Sequence, residues 1–222
     1  MVLLLWTAFL VWLSLSGEGD RYVGSRTRWV IVFGVIVVGW AAILQVRSLL
    51  AGMGTDERAD RAEWIRSTSL LIPLLTVLLI PDPRLGADAA DRKTFGGSSA
   101  IGAFAPRPDP GGEVSFPEIV HASRSSEYAE ALGIAEGFEL ELIGFVTHPS
   151  GLDGGFALTR FESFCCAADA IPYSVPIDPG PFGDRSTDEW LKVSGELVRR
   201  DGVFVLEATA VEGVEEPSDP YI

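Results

Sequence analysis

The sequence is poor in cysteine, histidine and positive charge, and each shortage removes a class of function. It has two cysteines and two histidines among 222 residues, with 17 basic against 31 acidic side chains. Cys165 and Cys166 are adjacent, so they cannot staple distant parts of a chain and do not fix a redox compartment. Seven basic and six acidic residues precede Asp82, which leaves that stretch at +1. The ten basic and 25 acidic residues from Asp82 onward leave −15. A domain of that charge repels phosphate backbones, which argues against DNA or RNA as a partner. It also avoids an anionic lipid surface. No nucleophile elbow, phosphate-binding loop or catalytic dyad is found, so no enzyme is expected.

What is abundant is apolar sequence, gathered at the N-terminal end. Residues 1–16 carry no charged side chain. At ~1.5 Å per residue they reach about 24 Å, short of the ~30 Å hydrocarbon core. They read as a short spanning helix, as the end of a longer one, or as a signal peptide cut after Ser14-Leu15-Ser16. The last reading lacks a basic leader. Trp29–Val46 is uncharged and flanked by Arg28 and Arg47, the pattern of a spanning helix with an interfacial tryptophan. Ser67–Ile80 contains Pro73 and is read as a third span, with interfacial or re-entrant placement as the alternative. The expected organisation is thus three transmembrane helices (about 1–16, 29–46 and 67–80), a Gly/Pro linker over 82–112, and a soluble acidic domain over 113–222.

In that domain, Ser115 with Glu118 three residues later predicts a capped helix, and a second short helix is expected over Glu127–Leu132. From Phe138 the apolar period changes to two. Strands are predicted over Phe138–Thr147, Gly155–Phe164 and Pro172–Ile177. A hairpin over Trp190–Arg199 and Val203–Val211 turns at Arg200-Asp201-Gly202. Asp178–Asp184 reads as a loop, and Ser186-Thr187-Asp188-Glu189 as the cap of one helical turn. Five short strands interrupted by such a turn suggest a small OB-like barrel with short flanking helices. A half-open sheet under the helices is the alternative.

The chemistry-bearing residues are few. Cys165 and Cys166 close the second strand, where adjacent side chains would face opposite ways. A bend at Ala167-Ala168 would bring Cys166 and Asp169 together, and thiolate with carboxylate suits zinc. Cys165, Cys166 and Asp169 are therefore the candidate metal ligands, with His148 one strand away; a packed corner of small residues competes with that reading. No cofactor other than zinc is suggested. His121 reads as a satisfied structural histidine, and Arg160 with Glu162 as a rim pair of little energetic worth.

Several stretches resemble a known family. They are Ser16-Gly17-Glu18-Gly19-Asp20-Arg21-Tyr22, Ile72-Pro73-Leu74-Leu75-Thr76 with Pro81 and Leu85-Gly86-Ala87-Asp88, the run Arg160–Ala170, Trp190–Gly195, and Pro217-Ser218-Asp219-Pro220-Tyr221. In this order they resemble the YcgQ-like family of bacterial membrane proteins, described as subunits of a two-component permease without an established activity. The resemblance implies a membrane-anchored accessory subunit that docks on a multi-spanning permease, with a link to zinc handling. A stand-alone tethered module for a metal ion or small ligand is the alternative. Relatives carry a His- and Cys-rich loop between the second and third helices, whereas residues 51–64 here have neither. With three spans, Arg21, Arg26, Arg28, Arg84, Arg92 and Lys93 would share a side, opposite Arg47, Arg58, Arg61 and Arg66. That count favours a cytoplasmic domain. The likeness of the family's His-rich loops to cytoplasmic ones favours the reverse, and an extracytoplasmic C-terminal domain in a multi-pass cell-membrane protein is the expectation.

Overall fold

The computed structural model describes residues 2–24, 27–51, 65, 68–79, 85–93, 107–150, 152 and 155–222. The chain divides into two compact units, residues 1–84 with Phe164–Ala167, and residues 85–163 with 168–222.

The N-terminal unit is helical. Helix α1 spans Val2–Ser16 and α2 spans Trp29–Leu50. They pack against each other, with Gly34 of α2 facing Leu10 and Gly39 facing Thr7, where an added Cβ would make ordinary contact at 3.5 Å. Only Leu13, Ile31 and Ala42 of these helices are buried. At ~1.5 Å per residue, the 22 residues of α2 reach about 33 Å, and this is the one described helix long and apolar enough to cross a membrane. Among the described residues, the three expected spans are therefore not all supported. Helix α1 is apolar but has 15 residues, about 22 Å. Among the described residues of the third segment, Thr68 and Ser69 are helical before a turn, and the eight-residue α3, Ile72–Leu79, follows, about 12 Å long. Pro73 explains the interruption: it has no N–H to offer the carbonyl of Ser69, and its ring crowds that carbonyl. The chain turns at Leu70-Leu71 and restarts, with Leu71 N–H bonded to Thr68 O at 3.0 Å.

The second unit is a closed five-stranded barrel. Strands β1 (Phe138–Thr147), β2 (Phe156–Glu162), β3 (Ile171–Asp178), β4 (Trp190–Arg200) and β5 (Val203–Gly213) are ordered β1-β2-β3-β5-β4, with β4 returning to β1. All pairs are antiparallel except β3 with β5, which meet through Ile177↔Leu206 and Asp178↔Glu207. The β4–β5 hairpin turns through Asp201 and Gly202, both at positive φ (50° and 83°), as a two-residue type I′ turn requires. Helix α4 (Phe116–Arg124) begins as anticipated. The Glu118 carboxylate accepts the Ser115 N–H at 3.0 Å and its hydroxyl at 2.5 Å. Helix α5 (Ser126–Leu132) is capped by Ser125, whose Oγ accepts Tyr128 N–H at 3.2 Å. Phe116, Ile119 and Ala122 of α4 join Leu158, Tyr173, Val175, Leu197 and Leu206 in the barrel core.

Three local expectations change. The helical turn between β3 and β4 is the 3-10 turn Gly180–Phe182, inside the stretch read as a loop. Ser186–Glu189 makes a turn rather than a helix: Glu189 N–H bonds to Ser186 O, and its carboxylate accepts Ser186 N–H, both at 3.1 Å. Residues 87–93, read as linker, are helical and belong to the barrel unit. Ala87 N–H donates to Asp188 Oδ1 at 2.6 Å, and Lys93 Nζ donates to the carbonyls of Ala168 and Ala170 at 3.2 and 2.8 Å. Of the rest of the expected linker, residues 82–84 and 94–106 lie outside the described residues, and 107–112 include a turn in which Gly112 N–H bonds to Asp109 O at 2.9 Å.

Candidate functional site

Strand β2 ends at Glu162, and the chain runs through bends and a turn until β3 starts at Ile171. That break removes the strand alternation which would have separated adjacent cysteines. The Cys165 and Cys166 sulfurs stand 3.7 Å apart, too far for a disulfide, whose S–S bond is ~2.05 Å. One donor atom each from Cys165, Cys166 and Asp169 falls within 4.8 Å of the others. Cys165 is exposed and Cys166 half-buried. The Ser163 hydroxyl lies 3.5 Å from Asp169 Oδ1, a long contact. The backbone of the turn is fixed at several points. Thr27 Oγ1 donates to Cys165 O at 2.8 Å and Ala167 N–H to Tyr22 O at 2.9 Å, while Lys93 holds the carbonyls on either side of Asp169.

His148 does not join this group. Its Nε2 faces Asp184 Oδ1 at 3.1 Å and its Nδ1 faces Thr187 Oγ1 at 3.2 Å, so it ties the loop after β1 to the loop before β4. The His148 hydrogen bond, with that of Arg185 N–H, holds the Asp184 carboxyl below the usual carboxylate range.

Arg160 is not a rim residue: it is 8 % exposed and donates to the carbonyls of Ile143 (3.2 Å), Asp219 (2.9 Å) and Tyr221 (3.0 Å). Its guanidinium also covers the Trp190 ring at 5.3 Å. Burial lowers its pKa, with the acidic groups of Asp219 and Glu216 opposing. It thereby fastens the C-terminal segment to β2, where Ile222 N–H bonds to Phe161 O at 3.0 Å. No sequence pattern announced this, because the acceptors are carbonyls far along the chain.

His121 is buried on α4, 5.7 Å from the Tyr128 ring and 6.0 Å from the Tyr173 ring. Among the described residues its Nε2 has no hydrogen-bond partner, so it is not the satisfied histidine expected. Burial, with Arg124 nearby, lowers its pKa, and Glu118 partly offsets this. Burial likewise raises that of Tyr173, helped by the Glu162 carboxylate.

The barrel also carries a concavity of about 520 Å³ that sequence reasoning missed. It is lined by Leu152, Pro176, Asp178, Arg200, Val203 and Val205, among others. At its edge Arg200 bridges Asp178 (2.6 Å) and Glu207. The Gly180 N–H and Arg200 keep the Asp178 carboxyl below its ordinary value. Its walls come from three chain segments remote in sequence, so no local pattern signals it.

Residues 127–222 match the DUF1980 C-terminal domain. The matched stretch starts in α5 and takes in the whole barrel, the Cys165-Cys166 turn and the Arg160-held tail. DUF1980 is a family of unknown function; the match carries neither the YcgQ-like name nor a permease role. No curated protein matches the chain.

Proposed function

We propose that this chain is a membrane-anchored accessory subunit of a transport complex, in which α2 lies in the bilayer and an OB-like acidic barrel is presented to a multi-spanning permease. The observation that carries the reading is the surface of α2. Trp29, Phe33, Ile36 and Trp40 are each 58–64 % exposed, and Val30, Val32, Val37, Ile43 and Leu44 are exposed as well. Left in water, this surface would cost about 25 cal/mol per Å², and contiguous apolar patches of that extent mark membrane or protein interfaces. Among the described residues, one helix long enough to cross a membrane and a shorter neighbour are too few to enclose a pathway, which supports the need for a second subunit. The barrel's charge disfavours nucleic acid and anionic lipid and leaves a protein partner. The OB-like reading is supported by the strand order and the parallel β3–β5 contact, and the permease partner by the resemblance of the motifs quoted above.

The expected outcome is retention of the chain in alkaline-washed membranes and its co-purification, after mild solubilisation, with a larger multi-spanning protein in fixed ratio. Release by the wash overturns the anchor. Retention followed by purification as a lone species overturns the subunit reading and leaves a tethered binding module, which the cysteine cluster favours. In the proposed orientation the barrel faces outward, so an impermeant maleimide should label a cysteine placed at Ser98, in a chain otherwise free of cysteine, in intact cells. Labelling only after lysis reverses that orientation.

A further inference from the structure

We propose that Cys165, Cys166 and Asp169 form a three-ligand site for a thiophilic divalent cation of the zinc class. The inference rests on the geometry of this turn and not on the subunit reading. Two thiolates bound to one tetrahedral ion at ~2.3 Å stand about 3.8 Å apart; the two sulfurs are separated by 3.7 Å. A carboxylate oxygen at ~2.0–2.2 Å from the same ion falls within the 4.8 Å that holds all three donor atoms. Adjacent cysteines reach this arrangement because the chain leaves β2 at Glu162 and turns over residues 167–169, placing both sulfurs on one side. Cysteine used as a small hydrophobe is among the most buried residue types, whereas Cys165 is exposed. Backbone hydrogen bonds from Ala167 N–H to Tyr22 and from Lys93 to Ala168 O and Ala170 O fix the turn before any ion arrives. Such preorganisation reduces what an ion must order on binding.

Two thiolates, one carboxylate and the soft character of sulfur select zinc or cadmium over magnesium or calcium, which take oxygen ligands. Starting from the thiols, uptake of one ion releases two protons. The site then carries one net negative charge and keeps a fourth position for water or an incoming donor. A site open in this way suits an ion that is handed on rather than a structural ion closed in by four protein ligands.

The test is titration of the reduced full-length chain in detergent with cadmium and with zinc. Thiolate-to-cadmium charge-transfer absorption and alkylation of the cysteines are followed together. The expected result is saturation at one equivalent, with both thiols protected. Cys165→Ser and Cys166→Ser should each lose about half of the charge-transfer intensity. Replacing a partner of a metal ligand commonly weakens binding ~10–100-fold, so loss of a ligand itself should weaken binding by at least about tenfold. Asp169→Asn should also bind at least about tenfold more weakly, with the sulfur absorption intact. Uptake by the serine variants equal to that of the unaltered chain overturns the proposal, as does the absence of saturable uptake by the unaltered chain. If a variant fails to fold, zinc protection of the unaltered chain decides alone: two protected thiols support the site, and two alkylated ones overturn it.

Discussion

His121 shows at the residue scale how one buried atom makes the fold sensitive to acid. Burial disfavours the imidazolium, so its folded pKa lies below the ordinary histidine value of 6.5. Below that value the unfolded chain takes up a proton that the folded chain resists. Stability is therefore unaffected by this group above about pH 6.5 and falls as pH drops from there toward the folded pKa. The depressed carboxyls of Asp178 and Asp184 act in the same direction but at lower pH, since they lose their contribution only as pH falls through the carboxylate range. The expected outcome is that His121→Phe flattens the stability of the barrel between pH 7 and 5, measured by denaturant unfolding at several pH values. Equal pH slopes in the two proteins would exclude His121 as the source. Arg160 makes the complementary point. Its charge is retained in the interior by three carbonyl acceptors and an aromatic face, which neither its strand position nor its neighbour Glu162 announces.

At the scale of elements, the β4–β5 pairing depends on one residue without a side chain. The register of the pair shifts between Ser194 and Gly195. A Cβ at Gly195 would stand 2.1 Å from Glu207 O, an atom of the facing backbone. A flexible side chain could move aside, but the backbone of a closed barrel cannot do so without opening the ladder. Gly195→Ala should destabilise the barrel at or beyond the upper end of the ~1–3 kcal/mol typical of overpacking. Gly213→Ala, with nothing within 4 Å of its Cβ, should remain near neutral. Thermal unfolding followed by far-ultraviolet circular dichroism separates the two, and a silent Gly195→Ala would count against this register. Strand positions were readable from the alternation of apolar residues, because β3, β4 and the first half of β5 bury mainly one face, although β2 is buried along both. Strand closure was not, because parallel contact between β3 and β5 depends on residues nearly 30 positions apart.

For the molecule as a whole, the boundary of the barrel unit lies earlier than composition suggested. Residues 87–93 are tied to it through Asp188 and through Lys93, by hydrogen bonds that each involve a charged group. Such bonds contribute about 1.5–3 kcal/mol apiece when buried and less when exposed. A fragment of residues 85–222 should therefore be soluble and unfold cooperatively. A fragment of residues 113–222 should do the same with a stability lower by roughly 1–3 kcal/mol, or several degrees in Tm. Identical melting of the two would show that the segment adds nothing. A random-coil spectrum from the longer fragment would overturn the independence of the barrel.

Much of this protein was determined locally. The uncharged run around α2 has one physical solution, a helix with an apolar surface, and it was read from residues alone. The same holds for the Ser115–Glu118 cap, the Asp201-Gly202 turn and the five alternating strands, since each is decided by neighbours within a few positions. The tertiary structure decided what depends on distant partners: the closure of the barrel, the burial of Arg160 and the attachment of residues 87–93. The interruption of the third apolar segment at Leu70-Leu71 was local in cause, through Pro73, but its place became visible only in the backbone hydrogen bonds. The Cys165-Cys166-Asp169 group stands between these cases. Its composition was evident in the sequence, while the placing of both sulfurs on one side required a turn whose backbone is held by groups from elsewhere in the chain.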